Sequence, residues 1–210
     1  MSPTKNRPAL GVIILGAGAS SRMRRPKLLL PWGATTVVGH IIDQWRNLGA
    51  AQLAIVHRPD DRALDVELER LGFPRPARIK NPQPELGMFS SILCAANWDG
   101  WEDGLATWAI VLGDQPHLRP DTLRALLAFH RRHAGAICQP VYGGHARHPV
   151  LLPRRAFDAL KQSPAQTLND FLKQTCCQRV KRSVEDSGLA LDLDWPEDYD
   201  KAVKAQLGNL

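Results

Sequence analysis

The sequence predicts an α/β fold built on a mostly parallel sheet. Short, continuous apolar runs recur at 12–15 (VIIL), 53–56 (LAIV) and 107–112 (TWAIVL), the pattern of strands buried on both faces. Stretches with apolar residues every three or four positions lie between them. The resulting order, strand and helix in alternation, is that of a parallel sheet with helices on both faces.

Taken in order, strand 12–15 opens the fold. Thr36 is placed to cap a helix whose face carries Val38, Ile41, Ile42, Trp45 and Leu48, with Gly49 at its end. Strand 53–56 follows. Asp60 is then placed to cap a helix through Leu64, Leu68 and Leu71. A short strand at 77–79 leads into the loop 81–87 and a helix over 88–97. After strand 107–112, Pro120 and Asp121 start a helix with Leu123, Leu126 and Leu127 on its apolar side. A strand at 136–141, a Gly-Gly loop, a strand at 150–152 and helices at 154–161 and 167–174 come next. Strands are expected at 179–184 and 189–193, and a last helix from Pro196. No repeat or low-complexity linker divides the chain, so one domain over 1–210 is expected.

Composition sets limits. The 210 residues, 44% hydrophobic and 23% charged, suit a globular core. No window reaches the eighteen apolar residues of a membrane span. The net charge of +6 fits an anionic ligand, but the basic residues are scattered, so no nucleic acid is expected. Lys5 and Arg7 before an apolar run, with 17–19 (AGA) after it, mimic a secretion signal. Cleavage there would remove the first core strand, so a signal is not expected. Cys94, Cys138, Cys176 and Cys177 form no C-x-x-C, so neither a disulfide framework nor a zinc site is expected and a reducing cytoplasm is implied.

The chemistry concentrates at 11–27, GVIILGAGASSRMRRPK. Strand 12–15 stops at six small residues, Gly16 to Ser21, and Arg22, Arg24, Arg25 and Lys27 follow at once. Such a loop brings backbone N–H groups close to an anion and surrounds it with positive charge. A plain strand-to-helix turn reads equally well from these residues. The dinucleotide fingerprint fails because Ser21 stands at its third glycine and no ribose acid follows. The P-loop fails because Pro26-Lys27-Leu28 is not Gly-Lys-Ser/Thr. Asp114, in the segment LGDQP, closes a buried strand where ligands bind in open α/β sheets, and a carboxylate there suits Mg²⁺; the alternative is a turn cap before Pro116.

The segments LGAGASSRM, PKLLLPWG and LGDQP together resemble the MobA-like nucleotidyltransferases. The motif L-A-A-G-x-S-x-R-M-G-x-x-K-L-L-L-P of the molybdenum cofactor cytidylyltransferases is the nearest match. Arg24 stands where that motif has glycine. The segment 192–198, DLDWPED, resembles the family's D-x-D-T-P-E-D with Trp195 at the threonine. The segments 81–91 and 140–151 resemble N-P-x-W-x-E-G-M-x-x-S and P-V-Y-G-G-x-x-G-H-P-V-L, with Arg147 at a glycine.

The resemblance implies a three-layer Rossmann-like sheet of the nucleotide-diphospho-sugar transferase type. It implies transfer of CMP from CTP to molybdopterin, with pyrophosphate released. Arg22, Lys27 and Asp114 would be catalytic. Leu15, Gly16, Ala17, Gly18, Arg22, Lys27, Asn81, Gly87 and Ser91 would bind the nucleotide. Asp114 and Asp194 would hold Mg²⁺, although Asp194 suits an N-cap of the last helix equally well. Asn81 reads equally well as a turn residue before proline. His148 would face the acceptor, although a plain polar loop residue reads at least as well. Lys27 is expected in an exposed loop as a cation facing only the triphosphate. His130, His133 and His145 are expected as solvated surface residues. A molybdenum hydroxylase apoenzyme is the implied downstream partner. GTP or another phosphorylated acceptor, a nicotinamide oxidoreductase, and a non-catalytic carrier delivering cofactor remain the alternatives.

Overall fold

The computed structural model describes residues 9–19 and 22–207. Strands β1 (Ala9–Leu15), β2 (Pro31–Trp32), β3 (Thr35–Thr36), β4 (Gln52–His57), β5 (Arg78–Lys80) and β6 (Leu105–Leu112) form the first part. Helices α1 (Val37–Asn47), α2 (Arg62–Arg70) and α3 (Met88–Ala96) lie between them. Helix α4 (Pro120–Arg132) leads to β7 (Ile137–Tyr142), β8 (His145–Ala146) and β9 (Val150–Pro153). Helices α5 (Arg154–Leu160) and α6 (Leu168–Gln174), β10 (Arg179–Ser183) and α7 (Pro196–Leu207) complete the chain.

The main sheet has the order β10-β7-β9-β6-β1-β4-β5. β9 runs antiparallel to both neighbours and β8 pairs antiparallel with β7; every other pairing is parallel. β1 is central because Val12, Ile13 and Ile14 are fully buried, and successive residues serve opposite faces. Val12 and Ile14 pack in one core with Ile41, Trp45, Leu64 and Leu126 from α1, α2 and α4. Ile13 packs in the other with Phe89, Ile92, Phe157 and Phe171 from α3, α5 and α6. Helices thus cover both faces. Burying each such side chain contributes about 1.5–3 kcal/mol.

Local differences from the sequence reading have local causes. Asp61, not Asp60, caps α2, its carboxylate accepting from Leu64 N–H at 3.0 Å. Thr36 caps α1 as expected, its hydroxyl accepting from Gly39 N–H at 3.2 Å, and it also ends a small β2–β3 hairpin the sequence did not suggest. The expected strand at 189–193 is a 3-10 turn, Ser187–Ala190, followed by an extended lead. Asp186 accepts from Gly188 N–H and closes the turn, while Leu189 and Leu193 anchor inward. Among the described residues no helix is long and apolar enough to cross a membrane.

Candidate active site

The carboxyl ends of β1, β4 and β6 are laced together by backbone hydrogen bonds. Gly16 N–H donates to the Val56 carbonyl at 2.7 Å, and Gly113 N–H to the Leu15 carbonyl at 3.0 Å. Gly113 is required there: a Cβ would stand 2.6 Å from the Leu15 oxygen, closer than real contacts allow. Asp114 follows directly, so its carboxylate is aimed beside the turn at Gly16.

Lys27 opens a short 3-10 turn, Lys27–Leu29, instead of sitting in an exposed loop. Its side chain is only 14% exposed, and its ammonium pairs with Asp114 and, at 3.4 Å, with Asp194 Oδ1. This corrects the expectation of a cation facing only a ligand. Asp194 Oδ2 also pairs with the exposed Arg22 at 2.6 Å. Residues 167 positions apart in sequence therefore meet at one point. Both Asp194 oxygens thus face cations, while at the last helix Asp198 accepts from Trp195 N–H at 3.2 Å. The lead into α7 docks on the end of β6 through Leu193 N–H to the Asp114 carbonyl, at 3.3 Å.

Two hard-oxygen carboxylates that share one ammonium can also share a hard dication, which keeps waters and substrate oxygens on its remaining positions. No group of three or more His, Cys, Asp or Glu suited to a metal occurs among the described residues. A two-carboxylate site completed by substrate oxygens is thus the arrangement these residues fit.

A cleft of about 400 Å³ runs from Asp114 and Lys27 past Leu15, Gly16, Ala17 and Gly18 to Arg58, Glu85 and Ser91. A smaller recess of about 160 Å³ continues it around Gly18, Arg22 and Asp194. Ser20 and Ser21 of the small-residue loop lie outside the described residues. Arg24, where the family motif has glycine, adopts φ 53°, a left-handed conformation that costs a non-glycine residue about 1 kcal/mol. Gly87 takes φ 86° at the entry to α3 and lines the far end of the cleft.

Asn81 is not at the cleft surface. Its Nδ2 donates to Ser90 and Ser91 hydroxyls at 2.8 and 3.0 Å, and its Oδ1 accepts from Gln83 N–H at 2.9 Å. With 1% exposure and its amide used internally, it shapes the loop that bears Glu85 and Gly87. This corrects its expected contact with nucleotide.

His148 is half-buried. Its Nδ1 lies 3.2 Å from the Ile110 carbonyl, which only accepts, so Nδ1 carries the proton and Nε2 is the free acceptor. Burial lowers its pKa, against the opposing pull of that carbonyl and Asp114. Asp192 escaped the sequence reading as a site residue. Gln115 donates to it at 2.8 Å. Burial, with Asp114 next in weight, raises its pKa. Arg58 was missed too; only its position just beyond a strand end hinted at the cleft.

Of the other three histidines singled out from the sequence, His145 is exposed, as expected. His133 is half-buried, with Nδ1 2.9 Å from the Phe129 carbonyl. His130 is not solvated at all: it is 3% exposed, with Nε2 2.9 Å from the Thr107 hydroxyl and Nδ1 3.4 Å from Cys138 Sγ.

Comparison with known proteins follows the same line. The MobA-like NTP transferase domain matches residues 12–180. The bifunctional protein GlmU of Clavibacter sepedonicus is 33% identical over 128 residues, 60% of this chain and 25% of the relative. The chain thus spans about a quarter of the length of the first curated relatives it matches. The molybdenum cofactor cytidylyltransferase of Escherichia coli is 28% identical over 193 residues, 91% of this chain and 94% of the relative. Among solved structures, a nucleotidyl transferase from Methanothermobacter shares the fold with TM-score 0.76 at 18% identity, covering 96% of this chain and 99% of that one. A Mycobacterium tuberculosis protein in complex with manganese has TM-score 0.64 at 21% identity, covering 93% and 98%. With the family domain matched over most of its length, the chain belongs to the MobA-like NTP transferase family.

Proposed function

We propose that this protein transfers CMP from CTP to the terminal phosphate of molybdopterin and releases pyrophosphate. The observation that carries the reading is the convergence of Asp114, Asp194, Lys27 and Arg22 beside the turn at Gly16. The acceptor is supported by the E. coli cytidylyltransferase, a relative alike over nearly its whole length. The GlmU relatives match over a quarter of theirs.

In this reading the nucleoside lies toward Arg58, Glu85, Gly87 and Ser91, and the phosphates lie over Gly16, Ala17 and Gly18. Backbone N–H groups of that turn, with Arg22 and Lys27, offset charge on the triphosphate and on departing pyrophosphate. Asp114 and Asp194 would hold a divalent cation, Mg²⁺, which supplies charge neutralisation at the α-phosphate. Lys27 would leave its carboxylate partners to meet the phosphates. His148, neutral at pH 7, offers Nε2 as an acceptor toward the molybdopterin side. No general base is needed, because a phosphate monoester with second pKa about 6 already carries its charge. Catalysis is positioning and electrostatics, as in other phosphoryl-type transfers.

The test is pyrophosphate release from each of the four nucleoside triphosphates, with and without purified molybdopterin. CTP with molybdopterin is expected to give the fastest release. Preference for GTP at saturating acceptor overturns the base assignment. Release indifferent to molybdopterin overturns the acceptor.

A further inference from the structure

We propose that Trp195 is a stacking platform for the ring system of the acceptor. The inference rests on the reading above and names a residue which that reading does not use.

Four large hydrophobic side chains are exposed among the described residues: Val66, Leu86, Met88 and Trp195. Leu86 and Met88 flank Gly87, at the nucleoside end of the cleft. Trp195 is 50% exposed and stands beside Arg22 and next in sequence to Asp194, two residues that line the smaller recess. The remaining tryptophans are buried or half-buried. Leaving an indole half in water forgoes its burial energy and makes it available as a recognition surface.

Its surroundings narrow what it recognises. The Arg22 guanidinium carbon lies 6.0 Å from the ring centroid, so the group that pairs with Asp194 also steadies the indole. The ring is not needed to seat α7, which Tyr199 ties down through its hydroxyl on the Pro31 carbonyl at 2.6 Å and its ring against Trp32. The face of an indole carries the negative side of its quadrupole and does not favour pyrophosphate, a hydrophilic polyanion. The nucleobase end is marked by Arg58 and Glu85, which the main cleft joins to Asp114 without reaching Trp195. The remaining partner is the acceptor, whose phosphate must meet the carboxylate centre while its body extends outward. A conjugated heterocycle there gains stacking on the exposed face of Trp195. At this position the resembled family motif has threonine, which cannot stack.

The test uses the whole protein with Trp195→Thr and Trp195→Phe. The probe is a pterin bearing a phosphomethyl arm, and glycerol phosphate is the ringless control. Stacking losses of this kind correspond to about five- to hundredfold in affinity. The pterin phosphate is expected to quench the accessible tryptophan fluorescence of the wild type. It should bind at least about fivefold more weakly to Trp195→Thr and within about threefold of wild type to Trp195→Phe. Affinity for glycerol phosphate and for CTP should be unchanged in both. Equal pterin phosphate affinity in Trp195→Thr overturns the platform, as does a loss of CTP affinity in its place. If the platform fails while wild-type protein still consumes molybdopterin, the proposed function stands. If wild-type protein neither binds the pterin phosphate nor consumes molybdopterin, both fall.

Discussion

The two ends of strand β6 make opposite use of polar residues. Near its start, Thr107 meets His130, which in turn lies against Cys138. Just beyond its end, Asp114 meets Lys27 and, through it, Asp194. The first group is buried and neutral. Burial holds His130 down at about 4 and pushes the Cys138 thiol up to about 11, so neither takes a charge near neutrality. The second group is charged, 14–30% exposed and open to a cleft. A histidine next to a thiol looks more reactive than a lysine next to a carboxylate. Strand direction says otherwise, because ligands reach the carboxyl ends of parallel strands and helices close the amino ends.

Variants can break this contrast, and the largest effect is expected at Asp114. Asp114→Asn keeps shape and loses charge, so turnover should fall about a hundredfold or more, roughly 3 kcal/mol in barrier. The melting temperature should hold. Full turnover in this variant, measured as pyrophosphate release, would remove the mechanism proposed above.

At the opposite end the expected effect is on stability and not on turnover. The folded protein binds a proton at His130 less tightly than the unfolded chain does. Stability is therefore lost as pH falls from about 6.5 to about 4, by at most about 3 kcal/mol at 1.36 kcal/mol per unit. In His130→Leu that part of the pH dependence should vanish while turnover at pH 7 is kept. Urea unfolding at pH 7, 5.5 and 4.5 measures it, and an unchanged slope in the variant would show that His130 is not the group responsible.

Lys27→Ala should cost one to two decades of turnover, the worth of a charge-assisted contact of about 1.5–3 kcal/mol. Because Lys27 neutralises two carboxylates, the variant should also be less stable at pH 7, and Mg²⁺ should restore part of the loss. Thermal melts with and without Mg²⁺ read this out; a melting temperature equal to wild type in both would mean the ion pairs contribute nothing. The smallest effect is expected at Asp194, the more exposed carboxylate. Asp194→Asn should raise the Mg²⁺ concentration needed for half-maximal turnover by about tenfold, or 1.4 kcal/mol, with the fold unchanged. An identical Mg²⁺ curve would leave Asp114 as the sole protein ligand.

Much of the fold could be read because its signals are local. The runs around Val12, Leu53 and Trp108, and the cap at Thr36, each declare themselves within a few residues. The segment 189–193 misled because Leu189, Leu191 and Leu193 alternate like a strand, while the turn is set by Asp186 just upstream. His130 misled because its burial depends on Thr107 and Cys138, which helix periodicity does not reveal. In the site, Lys27 and Asp114 were found through matched segments, but their mutual pairing was not, since nothing in either segment refers to the other. Asn81 was found for the wrong role: the sequence shows an amide before a proline, and only the placement of Ser90, Ser91 and Gln83 shows that its hydrogen bonds are already taken.

The contact at Gly113 has a further meaning for how this site can change over time. The offset between Asp114 and the Gly16 turn is set by one main chain lying directly against another, with no side chain between them to lengthen or shorten. Substitution has no handle on that spacing. The α7 lead is held by side chains and by the peptide contact at Leu193. A change in the α7 lead would therefore re-aim Asp194 and Trp195 while Asp114 stays where the two main chains hold it.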